Sequence, residues 1–248
     1  MRRLSIVLIA LLLTACATTA APPEERHPDD PWEPWNRSVY SFNSSVDKAV
    51  LRPVAVGYTK VTPRPVRTGV SNFFRNLRSP IIMANMMLQG RGGDLEQEFQ
   101  RFFTNTVYGI GGLFDVAGAG DIEDNDADLG QTLAGWGWEE SRFVILPLLG
   151  PSTVRDTVGR IGDGAADEPW RLAYHRGGFG LLALRIVDGR VGLFPLDDEL
   201  AAAYDEYILV RDGWLQRRNY FIHGAQTETP DYEAWLDDDW DDNREEWE

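Results

Sequence analysis

The chain has 248 residues and a formal net charge of −15, from 39 acidic and 24 basic side chains. The excess sits at one end: residues 224–248 hold −10, whereas residues 32–223 hold −4. A body this close to neutral has no cationic surplus for phosphate backbones, which argues against nucleic acid as a partner, and a single cysteine excludes a disulfide framework within the chain.

Arg2 and Arg3 precede an uncharged run from Leu4 to Leu13. Ten helical residues rise about 15 Å against about 30 Å of hydrocarbon, so the run is too short to span a bilayer. It fits the apolar centre of a secretory signal. Leu13-Thr14-Ala15-Cys16 then reads as a lipobox. Residues 1–15 are the expected signal peptide and Cys16 the expected lipidation site. A thiolate is the nucleophile that attacks a lipid donor, and several acyl chains on one residue anchor more firmly than one. The alternative is a free thiol in an ordinary signal peptide. Ala17, where bacterial lipoproteins kept at the inner membrane commonly carry Asp, favours the outer membrane. Residues 16–31 read as a flexible tether.

Residues 32–223 are enough for one domain with a core. Strand signatures are scarce and helical spacing is frequent. Val39, Phe42, Val46 and Val50 form one apolar stripe along a first helix, which "RPVAV" is expected to break. Pro63 and Pro65 open a second helix, with Val66, Val70, Phe73, Phe74 and Leu77 on one side and Arg67, Arg75 and Arg78 among the polar positions. Pro80 is expected to start a short third helix, "PIIMANMMLQG". Leu95, Phe99, Phe102 and Phe103 form the stripe of the next. "YGIGGLFDVAGAGD", residues 108–121, has five glycines and reads as flexible and apolar at once. Ser152 or Thr153 caps a helix through Val154, Val158 and Ile161. Further helices are expected through Leu181 to Val187 and from about Asp198 to Phe221. Residues 224–248 read as an acidic disordered tail. Its Trp235, Trp240 and Trp247 leave two readings open, a solvated tail or one that docks on a basic partner or a membrane surface.

The longest uncharged run after Cys16 is Phe102 to Phe114, so no transmembrane helix is expected. Amphipathic helices could lie in a membrane interface or enclose a soluble core. Periodicity alone does not separate the two, and four uncharged segments favour membrane contact.

Motifs for chemistry are absent. The phosphate-loop patterns GxxxxGK[ST] and GxGxxG do not occur, and neither does HExxH. "DIEDNDADLG" is acidic, but Gly135 stands where a calcium loop beginning near Asp124 would need its last acid. In "GPSTV" the closing glycine of a nucleophile elbow is replaced by Val154. His27, His175 and His223 have no motif around them. This favours a binding, transport or structural protein over an enzyme, with no cofactor and no metal.

Eight stretches in series resemble the MlaA/VacJ family of outer-membrane lipoproteins. They are "DPWEPWNRSVYSFN", "RPVAVGY", "TPRPVRTGVSNFFRNLRSP", "MMLQG", "RFFTNTVYGIGGLFDVA", "LGQTLAGWGW", "LPLLGPSTVRD" and "YDEYILVRDGWLQRRNYFI". Their order and approximate spacing agree across residues 30–222, while residues 157–200 and the acidic tail depart from the pattern. The resemblance implies an all-α ring of short amphipathic helices lying in the membrane interface, with Gly/Pro-rich connections. It implies a role in retrograde phospholipid transport. Phospholipids misplaced in the outer leaflet would pass through a channel in the ring to a MlaC-like periplasmic phospholipid carrier, and a trimeric porin would be a further partner. Irregular backbone at membrane depth is tolerated where protein or a wet cavity satisfies it. Gly109, Gly111, Gly112, Gly135, Trp136, Gly137 and Trp138 are therefore expected near the channel, and Phe42 and Asn43, on and beside the apolar face of the first helix, are further gating candidates. The expected location is the periplasmic face of the outer membrane, lipid-anchored. The rival readings are an envelope scaffold that moves no lipid and an envelope hydrolase.

Overall fold

The computed structural model describes residues 27–166 and 179–224. The expected signal peptide, Cys16, most of the tether and all of the tail but Gly224 lie outside the described residues.

The elements, in chain order, are α1 (Glu33–Val46), a π-turn (Asp47–Leu51), α2 (Arg52–Val61), α3 (Arg64–Leu88), α4 (Gly92–Val107), the single-turn α5 (Val116–Ala119) and α6 (Leu129–Gly135). There follow β1 (Phe143–Leu146), β2 (Gly150–Thr153), α7 (Val154–Ala166), α8 (Phe179–Gly192), a 3₁₀ turn (Phe194–Leu196), α9 (Asp197–Ala202) and α10 (Glu206–His223). Among the described residues the fold is helical as expected, apart from an antiparallel hairpin that pairs Phe143 with Thr153 and Leu146 with Gly150. No helix among the described residues is long and apolar enough to cross a membrane.

Contacts between elements close on themselves. α1 packs on β1, β2 on α7, α7 on α6, α6 on α3, α3 on α8 and α8 on α2, which returns to α1 through the π-turn. α4 and α10 attach to this ring, α4 on α3 and α10 on α6 and β2. The hydrophobic cores are small. One joins Val39, Phe143, Ile145 and Tyr207, and the other Ile82, Met86 and Ala127.

Several local expectations are corrected. "RPVAV" does not break the first helix. Pro53 lacks an N–H and its ring would crowd the carbonyl four residues back. The π-turn widens the helix there, and α1 continues into α2. Pro80 does not start a helix either but lies inside the 25-residue α3. An interior proline costs about 3 kcal/mol, offset here by packing on both sides of it: Phe74 and Asn76 before, Ile82 and Met86 after, are all buried. The last long helix is split, because the Asp205 carboxylate accepts from the N–H groups of Tyr207 (2.9 Å) and Ile208 (3.2 Å) and caps a new start. Of the two expected caps on α7, Thr153 is the one used, accepting from the Asp156 N–H at 3.1 Å. The packed body also begins before residue 32, since the Phe143 N–H donates to Asp29 O at 2.6 Å and Asp30 is fully buried.

Candidate functional site

The helices are inverted relative to a water-soluble domain. On α1 the buried residues are Asn36 and Val39, while Trp35 and Phe42 are exposed. Val50, the end of the expected stripe, is exposed as well. On α4 the buried residues are Glu98, Arg101 and Asn105, whereas Phe99 and Phe103 of the expected apolar stripe are each about half exposed. Among the buried described residues, polar and charged side chains outnumber apolar ones. The stripe of α4 turns Phe99 and Phe103 outward, whereas Val39 of the α1 stripe and Phe74 of the α3 stripe are buried. An open apolar groove between α3 and α4, lined by Met83, Met87, Leu95 and Phe99, lies on the same exterior.

Buried polar groups are costly unless paired, and here they are paired across elements. Arg75 forms two bonds to the fully buried Glu98 (3.2 and 3.3 Å), and it donates to Asn125 O at 2.8 Å. Arg218 on α10 forms a fork onto Asp128 (2.6 and 2.7 Å) and reaches Asp156 on α7 at 2.8 Å. Burial opposes the Asp128 charge, but Arg218 outweighs it and holds that carboxyl below its ordinary value. Gly130 and Gly159 let α6 and α7 touch. A Cβ on Gly159 would lie 2.5 Å from Gly130 N, and one on Gly130 would lie 2.3 Å from Asp156 Oδ1.

The glycine-rich loop after α4 is knitted together. The N–H groups of Gly109, Gly111 and Gly112 donate to the carbonyls of Thr104, Thr106 and Asn105, and Phe114 N–H donates to Gly109 O. Arg101 grips Asp115 through two bonds (2.9 and 2.8 Å) and donates to Ile122 O at 2.6 Å. Asn105 donates to Asp115 at 3.0 Å and accepts from Ala117 N–H at 2.9 Å. Burial works against the Asp115 charge, but the Gly118 N–H, Asn105 and Arg101 hold its carboxyl below the usual range. The loop is therefore sealed inside while Tyr108, Ile110, Leu113 and Phe114 project outward. The expected flexibility is corrected: backbone N–H groups and carbonyls pair within the loop.

A second apolar projection is the hairpin tip, where Leu148 and Leu149 are both exposed and Leu148 has a φ of 62°. α1 holds it with two asparagine side chains seven residues, two helical turns, apart. Asn36 donates to Phe143 O (3.2 Å) and accepts from Ile145 N–H (2.8 Å). Asn43 donates to Leu146 O (3.0 Å) and accepts from Leu148 N–H (2.8 Å). Each amide stands in for a residue of a neighbouring strand.

The expected channel residues attach to three different elements. Asn43 holds the hairpin tip, and Phe42 beside it points away from the core. Gly109 and Gly112 are buried, Gly112 so close to α3 that a Cβ would lie 2.3 Å from that of Asn76, whereas Gly111 is exposed. Gly135, Trp136, Gly137 and Trp138 end α6 on the exterior, and the Trp136 indole donates to Leu88 O at 3.3 Å. Gly135 also borders a polar cleft of about 650 Å³ between α6, residues 124–126 and the end of α10. Sequence reasoning missed Asn36, Asn76, Asn85, Asn105, Gln131 and Arg101, all buried. Their signal was available: polar residues recur at helical spacing opposite the apolar stripes.

These features define a class: a ring of short helices with a polar, paired interior and an apolar exterior. The chain belongs to the MlaA lipoprotein family, whose profile matches residues 28–221. It is 34% identical to the intermembrane phospholipid transport system lipoprotein MlaA of Escherichia coli (strain K12), over 96% of each chain. It is 29% identical to the protein of the same name from Haemophilus influenzae, over 90% of this chain and 91% of that one. A solved structure described as "Structural basis for maintenance of bacterial outer membrane lipid asymmetry" superposes with a TM-score of 0.67 at 35% identity, over 78% of this chain and 98% of that chain.

Proposed function

We propose that this chain is the outer-membrane lipoprotein of an intermembrane phospholipid transport system, anchored through Cys16 on the periplasmic face. On this reading it removes phospholipid from the outer leaflet and passes it through the helical ring to a periplasmic carrier, beside a trimeric porin. The observation that carries the proposal is the inverted exterior: half-exposed Phe99 and Phe103 outside, Glu98 and Arg101 inside, on one helix. A helix so arranged is stable with lipid on its apolar face. The names and structure of the relatives support the transport role. Signal peptide 1–15, a tether from Cys16, a helical domain that takes in Asp29 and Asp30 and runs to 223, and a tail 224–248 are the proposed organisation, and the channel residues named above remain the proposed gate.

The test is a deletion strain in which outer-leaflet phosphatidylethanolamine is labelled by an amine reagent that does not cross the membrane. The proposal predicts excess surface lipid, corrected by the wild-type gene and not by Cys16→Ala. Wild-type surface lipid in the deletion strain, with the envelope otherwise weakened, would replace transport by a scaffold role.

A further inference from the structure

Between Lys48 and Gly93 the sequence holds eight Lys or Arg and no Asp or Glu, in a chain whose net charge is −15. Five of the eight face an acid from later in the chain: Lys48 faces Glu206, Arg52 Asp197, Arg75 Glu98, Arg78 Asp126 and Arg91 Asp94. The other three are Lys60, Arg64 and Arg67. They are consecutive cations at the corner where α2 turns into α3, and none has an ion pair among the described residues. Local structure accounts for only one of them. Lys60 stands in the last turn of α2, where a cation is favourable, but Arg64 and Arg67 stand in the first turn of α3, where it is not. One acid, Asp188 of α8, packs against the corner. It is buried, and its two oxygens accept from Tyr58 on α2 (3.2 Å) and Ser71 on α3 (2.6 Å), so it ties the helices together. Arg67 spends Nη1 on Thr59 O at 3.3 Å, whereas Lys60 and Arg64 are exposed. Three cations against one buried acid leave the corner positive.

Apolar side chains are interleaved with these cations. Val50, Val54, Val61 and Val66 are each at least half exposed and carry the apolar exterior along α2 into α3. Exposed valines and unpaired cations on one corner fit the boundary of a bilayer, with the valines toward the acyl chains and the long Lys and Arg stems reaching the phosphates. We infer that the α2–α3 corner docks on anionic phospholipid headgroups of the leaflet that holds the protein. The inference rests on the reading that the exterior meets lipid, and it names the headgroup charge that this corner selects.

The test reconstitutes the full lipidated chain into phosphatidylethanolamine vesicles. Phosphatidylglycerol or phosphatidylethanolamine with a nitroxide on its acyl chain is added in trace amount, and the fraction of each immobilised at the protein is read by electron paramagnetic resonance. At low salt the wild type should hold phosphatidylglycerol about fivefold over phosphatidylethanolamine, the factor for one cation at a lipid surface. About 0.5 M NaCl should bring that ratio toward one. Lys60→Gln with Arg64→Gln should lower the ratio at least twofold, and adding Arg67→Gln should bring it close to one. Arg217→Gln, which removes a cation on α10, should leave it unchanged. Should the triple variant unfold, the double variant decides. A wild type without preference overturns the inference, as it would if the chain's own acidic tail covered the corner. A preference that survives the substitutions, with unaltered melting temperatures, places the anionic lipid elsewhere and overturns the corner while the transport reading stands. Failure of the wild type to immobilise either lipid overturns the lipid-facing exterior and with it the transport reading.

Discussion

Asn43→Ala isolates one of the two amide clamps between α1 and the hairpin. The change removes the bonds to Leu146 O (3.0 Å) and from Leu148 N–H (2.8 Å). Each is worth about 1 kcal/mol net, so local opening of the tip becomes easier by about 2 kcal/mol, and amide exchange there speeds up about thirtyfold. Leu148 sits in the left-handed region, which costs a residue other than glycine about 1–2 kcal/mol, so the tip has reason to relax once released. The assay is hydrogen exchange in detergent micelles, followed by NMR or by mass spectrometry of short peptides. Leu148 N–H should lose its protection. Ile145 N–H, held by Asn36 at 2.8 Å, should keep it. If both exchange at wild-type rates, Asn43 does not hold the tip; if both are lost together, the clamps are one cooperative unit and the separation argued here is wrong.

Deleting Ser41 and Phe42 turns the start of α1 by about 200° and shortens it by about 3 Å, so that Ser45 takes the place seven residues after Asn36. In cells this should cause detergent sensitivity even beside a wild-type copy at matched protein level, and a recessive effect identical to the null strain would remove the segment from any gate. Gly159→Ala should destabilise the protein by about 1–3 kcal/mol in thermal unfolding, because its Cβ meets Gly130 N at 2.5 Å. Gly135→Ala meets nothing within 4 Å and should be neutral or up to about 1 kcal/mol stabilising; equal losses would show that the α6–α7 approach is not tight. Asp163→Asn should raise Tm at neutral pH. Burial is the main reason that the Asp163 carboxyl lies above its ordinary value, with Asp128 adding to it and bonds from Asn85 and Leu129 opposing. The folded state therefore pays for that charge at neutral pH and not below the unfolded value of about 3.9. The gain should vanish on acidification, and a gain that grows as the pH falls contradicts the assignment.

The helical class, the cap of α7 and the stripes were legible because periodicity survives in any solvent. The stripe of Leu95, Phe99, Phe102 and Phe103 shows the limit. A period states which residues share a face and not whether that face meets protein or lipid. The deciding feature was the opposite face of α4, where Glu98, Arg101 and Asn105 each find partners from distant segments: Arg75, Asp115, Ile122 and Ala117. Those partners lie 12 to 23 residues away or on other helices, beyond any local pattern. The glycine run misled for a related reason. Composition suggested freedom, but Gly109 is required where the loop closes on Phe114 O and on Asn105 of α4, and Gly112 where it meets Asn76 of α3. Met86 shows the same limit at a single residue: apolar by sequence and next to the outward Met87, it is wholly buried.

The central claim is that the exterior meets hydrocarbon. Nitroxide labels at Phe103, Ile110 and Leu148, each at least half exposed, test it directly in vesicles. Cys16, the proposed anchor, is the only cysteine in the sequence, so single introduced cysteines can be labelled. The account predicts that dissolved oxygen relaxes all three labels while a water-soluble nickel chelate does not, and that a label at Glu139 shows the reverse. Free access of the chelate to Phe103, Ile110 and Leu148 would place the apolar exterior in water and contradict the account.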